Sequence, residues 1–317
     1  MSSLPEDSPI QSPSPEPPDD LVKKRAPSSV QTEPISREVL SAKDVVPANL
    51  SVTALSEFPV AVAPPDPASI GPGRNDPAWN GWDVVRLTCV TILSLIVGVF
   101  AVLFLTRGTI YPHRSLGAIA SNPLVTVAGQ SLAYFLVLGY MYVLVTRERR
   151  RPDFLAAIHW NWPSNVAVYV VVGFVLSLAL QALAHFLPIP KELPIDKFFQ
   201  TPAEAWALGI LSITLAPLME ELFFRGFLYP VLARSLGLPV SVFLTALGFA
   251  LLHGAQLMFS WGPVLVIFLV GVVLTMVRAK TNSVAAGVLI HMAYNATITV
   301  AMFGATDGFR HLERLNQ

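Results

Sequence analysis

From residue 84 onward the chain repeats one pattern. Apolar runs near twenty residues long alternate with short polar breaks. A helix needs about 20 apolar residues to cross a bilayer. The runs at 84–106, 123–146, 165–187, 205–232, 239–258, 263–279 and 283–303 predict seven membrane spans. The fourth run is long for one crossing. It contains Pro217, whose missing N–H predicts a kink. Asp153–Trp162, with Trp160 and Trp162, predicts a short interfacial helix before the third span.

The informative positions are those that break the apolar pattern from within. Glu220, Glu221 and Arg225 lie inside the fourth run. His253 follows the apolar stretch from Pro239 to Leu252, and His291 and Asn295 lie inside the last run. A charged group at membrane depth costs about 2.5–3.5 kcal/mol on insertion scales, so such residues are rare and usually functional.

Helix geometry sorts them. Adjacent residues on an α-helix point about 100° apart, so Glu220 and Glu221 face different neighbours. Glu221 and Arg225 are four apart with the acid first, the favourable order for an ion pair. That pairing lets both charges persist in a low dielectric. Glu220 has no local cation and is the candidate general base or acid. Phe249 and His253 share a face, as do His291 and Asn295. Taken singly, the two histidine motifs also read as structural features, such as interhelical hydrogen bonds. Taken with Glu220, they predict four groups around one water, carbonyl or metal, within roughly 3–7 Å of each other. His113, His159, His185 and His311 fall in loops or near span ends and read as interfacial residues.

Composition supports the membrane reading. The chain has 317 residues, of which 53% are hydrophobic and 13% charged, against about 25% charged in a soluble domain. Lys plus Arg equals Asp plus Glu at 21 each, and nothing suggests a nucleic-acid partner. The single cysteine, Cys89, rules out a disulfide within the chain and reads as a packing or lipid-facing residue. Residues 1–80 differ sharply from the rest. They hold fifteen of the 27 prolines and eleven acidic against six basic residues. Such a segment cannot bury enough apolar surface to offset its ordering entropy, and it reads as a disordered Pro-rich tail.

Orientation follows from Lys and Arg beside the spans. Arg147, Arg149, Arg150 and Arg151 follow the second run, Arg234 follows the fourth, and Arg278 and Lys280 follow the sixth. All seven fall at one end of the bundle. They place that end, and the N-terminal tail, in the cytoplasm. The loop from Pro188 to Ala203 then faces outward. Seven spans leave Arg310 and Arg314 outside as well, and an eighth crossing or a re-entrant segment would remove that conflict. The expected fold is an all-α polytopic bundle of about 7–8 transmembrane helices. Residues 81–164 form N-terminal helices, 165–303 the membrane core that carries the polar set, and 304–317 a short C-terminal tail.

The ordered set Glu220-Glu221-x-x-x-Arg225, Phe249-x-x-x-His253 and His291-x-x-x-Asn295 resembles the CAAX protease and bacteriocin-processing family, also called Abi or type II CAAX endopeptidase-like. The resemblance covers residues 165–303. It implies an all-helical intramembrane endopeptidase with a central cavity open to the cytosol, set in a bacterial inner membrane. Its catalytic set corresponds to Glu220, His253, His291 and Asn295, with Glu221 and Arg225 in support. It implies a membrane-associated protein or peptide substrate, prenylated or not. Two mechanisms are compatible with it. In one, Glu220 and His253 activate water while His291 and Asn295 stabilise the oxyanion. In the other, Glu220, His253 and His291 bind Zn²⁺ with one position open to water. Two other readings compete: a catalytically silent membrane scaffold that binds a lipid or protein, and a proton or ion carrier using Glu220. The scaffold does not need all four polar groups, and the carrier predicts repeat-related polar sites that the sequence lacks.

Overall fold

The computed structural model describes residues 76–190 and 193–316; the expected tail up to residue 75 lies outside them. Among the described residues the fold is a helical bundle without strands. The long helices are α1 (Gly81–Thr109), α3 (Pro123–Val143) and α5 (Val166–Ala184), with α2 (Leu116–Ala120) and α4 (Phe154–Ala157) as short connectors. A broken span follows, made of α6 (Pro202–Ile213), α7 (Leu215–Glu221), a π-helical segment (Leu222–Leu228) and α8 (Tyr229–Leu236). The bundle closes with α9 (Leu238–Leu252), α10 (Trp261–Thr281) and α11 (Val284–Ala305).

Six helical segments are long and apolar enough to cross a membrane, and the seventh expected one, α9, has only 15 residues. The expected run to residue 258 ends early because His253 caps α9 and a 3-10 turn, Gly254–Leu257, follows. Met258 and Phe259 then take left-handed backbone, which an α-helix cannot accommodate. The chain between α9 and α10 is therefore a recessed turn that carries His253. The interfacial helix expected over Asp153–Trp162 is shorter than predicted. It covers only Phe154–Ala157, capped by Asp153 and stopped by the left-handed His159.

The kink in the fourth span falls at Thr214, with φ −112° and ψ −84°. Pro217 has no N–H for the helical bond to the carbonyl four residues back, at Ile213, and its ring crowds that carbonyl. The break therefore appears in the turn preceding the proline. A second irregularity, the π-segment, begins directly after Glu221 and contains Arg225. An extra residue per turn rotates the downstream helix face relative to Glu220 and Glu221.

Residues 76–80, read as tail from composition, pack against the bundle. Trp79 is 1% exposed, stacks on Phe227 at 4.7 Å, and donates its indole N–H to the Phe227 carbonyl at 3.1 Å. Arg234 holds the carbonyls of Pro77 and Trp79 at 2.8 and 3.2 Å. Asn80 caps α1, accepting from the backbone N–H of Trp82 and Asp83, while the Asp83 side chain accepts the Asn80 N–H. One tryptophan and one cap are enough to dock residues 76–80.

Small residues set the closest helix contacts, as expected where lipid supplies no hydrophobic drive between helices. A Cβ on Gly129 of α3 would stand 2.7 Å from the Val99 Cα of α1. One apolar cluster, including Met141, Leu144, Ile158, Phe227 and Val284, fills the end of the bundle nearest Arg147–Arg151. A second, including Phe224, Phe249, Leu274 and Ile290, packs α5, α9, α10 and α11 beside the polar groups.

Candidate active site

The broken span, α9 and α11 bring Glu220, His253, His291 and Asn295 to the wall of one cavity of about 310 Å³. His253 Nε2 lies 3.9 Å from Glu220 Oε1, and His291 Nε2 lies 3.7 Å from Glu220 Oε2. Each histidine thus faces one oxygen of the same carboxylate. Both separations exceed direct hydrogen-bond length, so the three groups surround a gap rather than bond one another.

Each ring is held from behind. His253 Nδ1 is 2.9 Å from the Phe249 carbonyl. A carbonyl only accepts, so Nδ1 carries the proton and Nε2 is turned to Glu220. His291 Nδ1 is 3.0 Å from Glu221 Oε1, which orients that ring in the same way. The Phe249 ring lies 4.9 Å from His253 and 5.7 Å from His291, and fills the space between them. Asn295 donates its Nδ2–H to the Ser212 carbonyl at 2.7 Å, just before the Thr214 break. This hydrogen bond ties α6 to α11.

The pair expected from i,i+4 spacing is present. Arg225 Nη1 bonds Glu221 Oε1 at 2.8 Å, and both side chains are fully buried. The guanidinium also donates to the Gly271 carbonyl at 3.0 Å and to Thr275 Oγ1 at 3.3 Å. Its carbon lies 4.7 Å above the centre of the Phe249 ring. Glu221 also packs closely against Gly287 of α11. A Cβ there would fall 2.7 Å from Glu221 Oε2.

Spacing along single helices left several neighbours unforeseen. It could not show that Glu221 serves His291 as well as Arg225, since that contact joins residues 70 positions apart. Gln130 and Gln256 line the same cavity, and Gln130 donates to Tyr134 Oη at 2.7 Å. These four residues, Gln130, Gln256, Glu220 and His253, also border a second, mainly apolar cavity of about 590 Å³ flanked by α1, α3 and α9. The signal for Gln130 was available: it is a lone amide in an apolar run with a tyrosine one turn on.

The carboxylate and two imidazoles are a chemically suitable set for Zn²⁺. Bonds of about 2.0–2.1 Å in a tetrahedral shell put ligand atoms roughly 3.3 Å apart. The separations here, 3.7 and 3.9 Å, are wider. Among the described residues no group of three His, Cys, Asp or Glu is arranged to hold a metal ion. The residues as placed do not fit zinc.

Residues 202–297 match the family model described as Type II CAAX prenyl endopeptidase Rce1-like. The matched stretch starts at α6, ends within α11, and includes all seven motif residues. No curated protein and no solved structure matches the chain significantly. The six apolar helices and this match make the chain an integral membrane protein. The motif order, the bundle and the matched segment agree: what residues 202–297 are similar to is the Rce1-like type II CAAX prenyl endopeptidase family.

Proposed function

We propose that the chain is an intramembrane endopeptidase in which Glu220 and His253 activate water against a peptide bond. The observation that carries this reading is the pair of histidines facing the two oxygens of Glu220, at 3.9 and 3.7 Å, at the wall of a cavity. A water in that gap has two protons to give, and the Glu220 carboxylate and His253 Nε2 are the acceptors that receive them. Glu220 takes one proton as the water oxygen attacks the scissile carbonyl, and His253 Nε2 aligns the same water. The charge then develops on the carbonyl oxygen. Asn295 has a second amide N–H beyond the one held by Ser212, and it serves as an oxyanion donor. His291 joins it when its ring carries both protons, with Nδ1–H on Glu221 and Nε2–H toward the oxyanion. Glu220 returns its proton to the leaving amine, which completes hydrolysis.

The substrate in this reading is a membrane-associated polypeptide. The test is incubation of the purified protein in detergent or liposomes with prenylated and unprenylated membrane-anchored peptides, with products identified by mass spectrometry. Cleavage at a defined bond, lost in Glu220→Gln, supports the proposal. Absence of cleavage for every peptide, with folded protein, favours a scaffold.

A further inference from the structure

Glu220, His253, Gln130 and Gln256 border both the 310 Å³ cavity and the 590 Å³ cavity. The first two are the pair assigned to water activation. The other two are carboxamides, which that chemistry does not use. His291 and Asn295 line only the smaller of these two cavities, and Tyr134 only the larger. Both carboxamides therefore stand at the partition where the candidate general base also stands.

They are not held alike. Gln256 is exposed on the short turn that follows His253. Gln130 is half-buried and is the only carboxamide of α3. Tyr134 lies four residues on, on the same helix face. Gln130 Nε2 donates to Tyr134 Oη at 2.7 Å, which fixes the side chain toward the cavities. A glutamine offers two N–H donors and one carbonyl acceptor. Tyr134 takes one donor, and this is the one hydrogen bond the Gln130 side chain makes among the described residues. Its second N–H and its Oε1 remain for a ligand. Polar groups on spans are costly and face the bundle interior or a cavity, where they mark substrate paths. The free edge, one N–H beside one C=O, is the complement of a backbone peptide group, which carries the same two.

We infer that Gln130 is a substrate-binding residue, whose free carboxamide edge takes one backbone peptide group of an extended polypeptide beside Glu220. Tyr134 is a positioning residue that acts through Gln130, because a preset side chain loses less freedom on binding. Such a contact reads no side chain and is indifferent to the peptide's sequence. α3 lies outside the matched stretch 202–297, so the N-terminal helices contribute to the site as well as packing beside it. The word substrate rests on the endopeptidase reading, but the binding of a peptide backbone does not.

The experiment is an ester scan by equilibrium binding. The probe is a lipid-anchored, fluorescein-labelled decapeptide, with copies in which one backbone amide at a time is replaced by an ester. Binding is read by fluorescence anisotropy in detergent, on full chains that carry Glu220→Gln to prevent turnover. Gln130→Leu keeps the size and removes the amide edge. It is expected to weaken binding about three- to tenfold at unchanged thermal unfolding. One ester is expected to cost the unsubstituted Gln130 protein the same factor and to cost Gln130→Leu nothing further. Tyr134→Phe should lose less, about two- to threefold, with a shallower loss at that same ester. Equal binding with and without Gln130→Leu overturns the inference, as does an ester profile that is the same in both proteins. If Gln130→Leu does not fold, Tyr134→Phe carries the test, and an ester profile unchanged by it overturns the inference. Absence of peptide binding in every protein overturns it too. Turnover is read separately with Glu220 in place. Binding with the expected profile but no cleavage refutes the endopeptidase reading alone, and cleavage with KM unchanged by Gln130→Leu refutes this inference alone.

Discussion

His291 stands between two adjacent glutamates: its Nδ1 is 3.0 Å from Glu221 Oε1, and its Nε2 faces Glu220 at 3.7 Å. Neighbouring residues on a helix point about 100° apart, and a ring on a second helix reaches both. The same Glu221 oxygen accepts from Arg225. Glu221 is therefore the buried link between the cation that stabilises the broken span and the imidazole that faces the candidate site.

The two glutamates should respond differently to the same substitution. Glu220→Gln keeps shape and loses the base, so turnover is abolished in a protein with unchanged thermal unfolding. Glu221→Gln leaves Arg225 buried with a weakened partner. Breaking such a pair costs about 3–5 kcal/mol, read as a large loss of thermal stability or of folded yield. If Glu221→Gln instead kills activity at full stability while Glu220→Gln retains it, the roles are reversed.

Gly287→Ala tests the tight fit behind that link. The new methyl would stand 2.7 Å from Glu221 Oε2 and must push the carboxylate or the helix. Overpacking of this kind costs about 1–3 kcal/mol. Lower thermal stability, measured in detergent, is the expected result, with reduced turnover if His291 shifts too. An alanine variant as stable and active as the parent would refute the packing argument.

The tail boundary gives a graded truncation test. Removal of residues 1–75 should leave a folded membrane protein. Removal of residues 1–80 takes away Trp79 and the Asn80 cap, and should destabilise it. Trp79→Ala in the full chain isolates the main part, with an expected cost of about 3–5 kcal/mol for a fully buried tryptophan. Chemical or thermal unfolding of the three proteins decides. Equal stability of all three would make the docked segment dispensable.

Much of this architecture was legible in the residue pattern, for reasons that are local. Apolar runs report helices directly, so the ends of α1, α3, α5, α10 and α11 fall within three residues of expectation. The Glu221–Arg225 pair is an i,i+4 relation on a span, and spacing reveals it. What spacing hides are relations between helices. The His291–Glu221 bond, the Gly287 approach and the Asn295–Ser212 tie each join segments far apart in the chain. The early end of α9 was hidden because Gly254–Leu257 is apolar enough to read as span, while its termination rests on backbone conformation at Met258 and Phe259. Trp79 was lost in a proline-rich composition that averages over the one residue able to dock.

Chelation separates the two mechanisms left open by motif chemistry. Direct activation of water by Glu220 and His253 predicts that activity survives exhaustive chelation. His253→Ala and His291→Ala then lose rate while substrate still binds. Elemental analysis of the active protein should find less than about one zinc per chain. Stoichiometric zinc that leaves together with activity, and restores it on return, would show that Glu220, His253 and His291 close around a metal.

The most direct measurement of the central claim is single-turnover cleavage of one membrane-anchored peptide by the purified parent and Glu220→Gln proteins, side by side at matched folded concentration. The account predicts one defined cut by the parent and none by the variant, with equal peptide binding to both. Cleavage by Glu220→Gln at the parental rate would contradict it, and the water-activating carboxylate would have to be sought elsewhere.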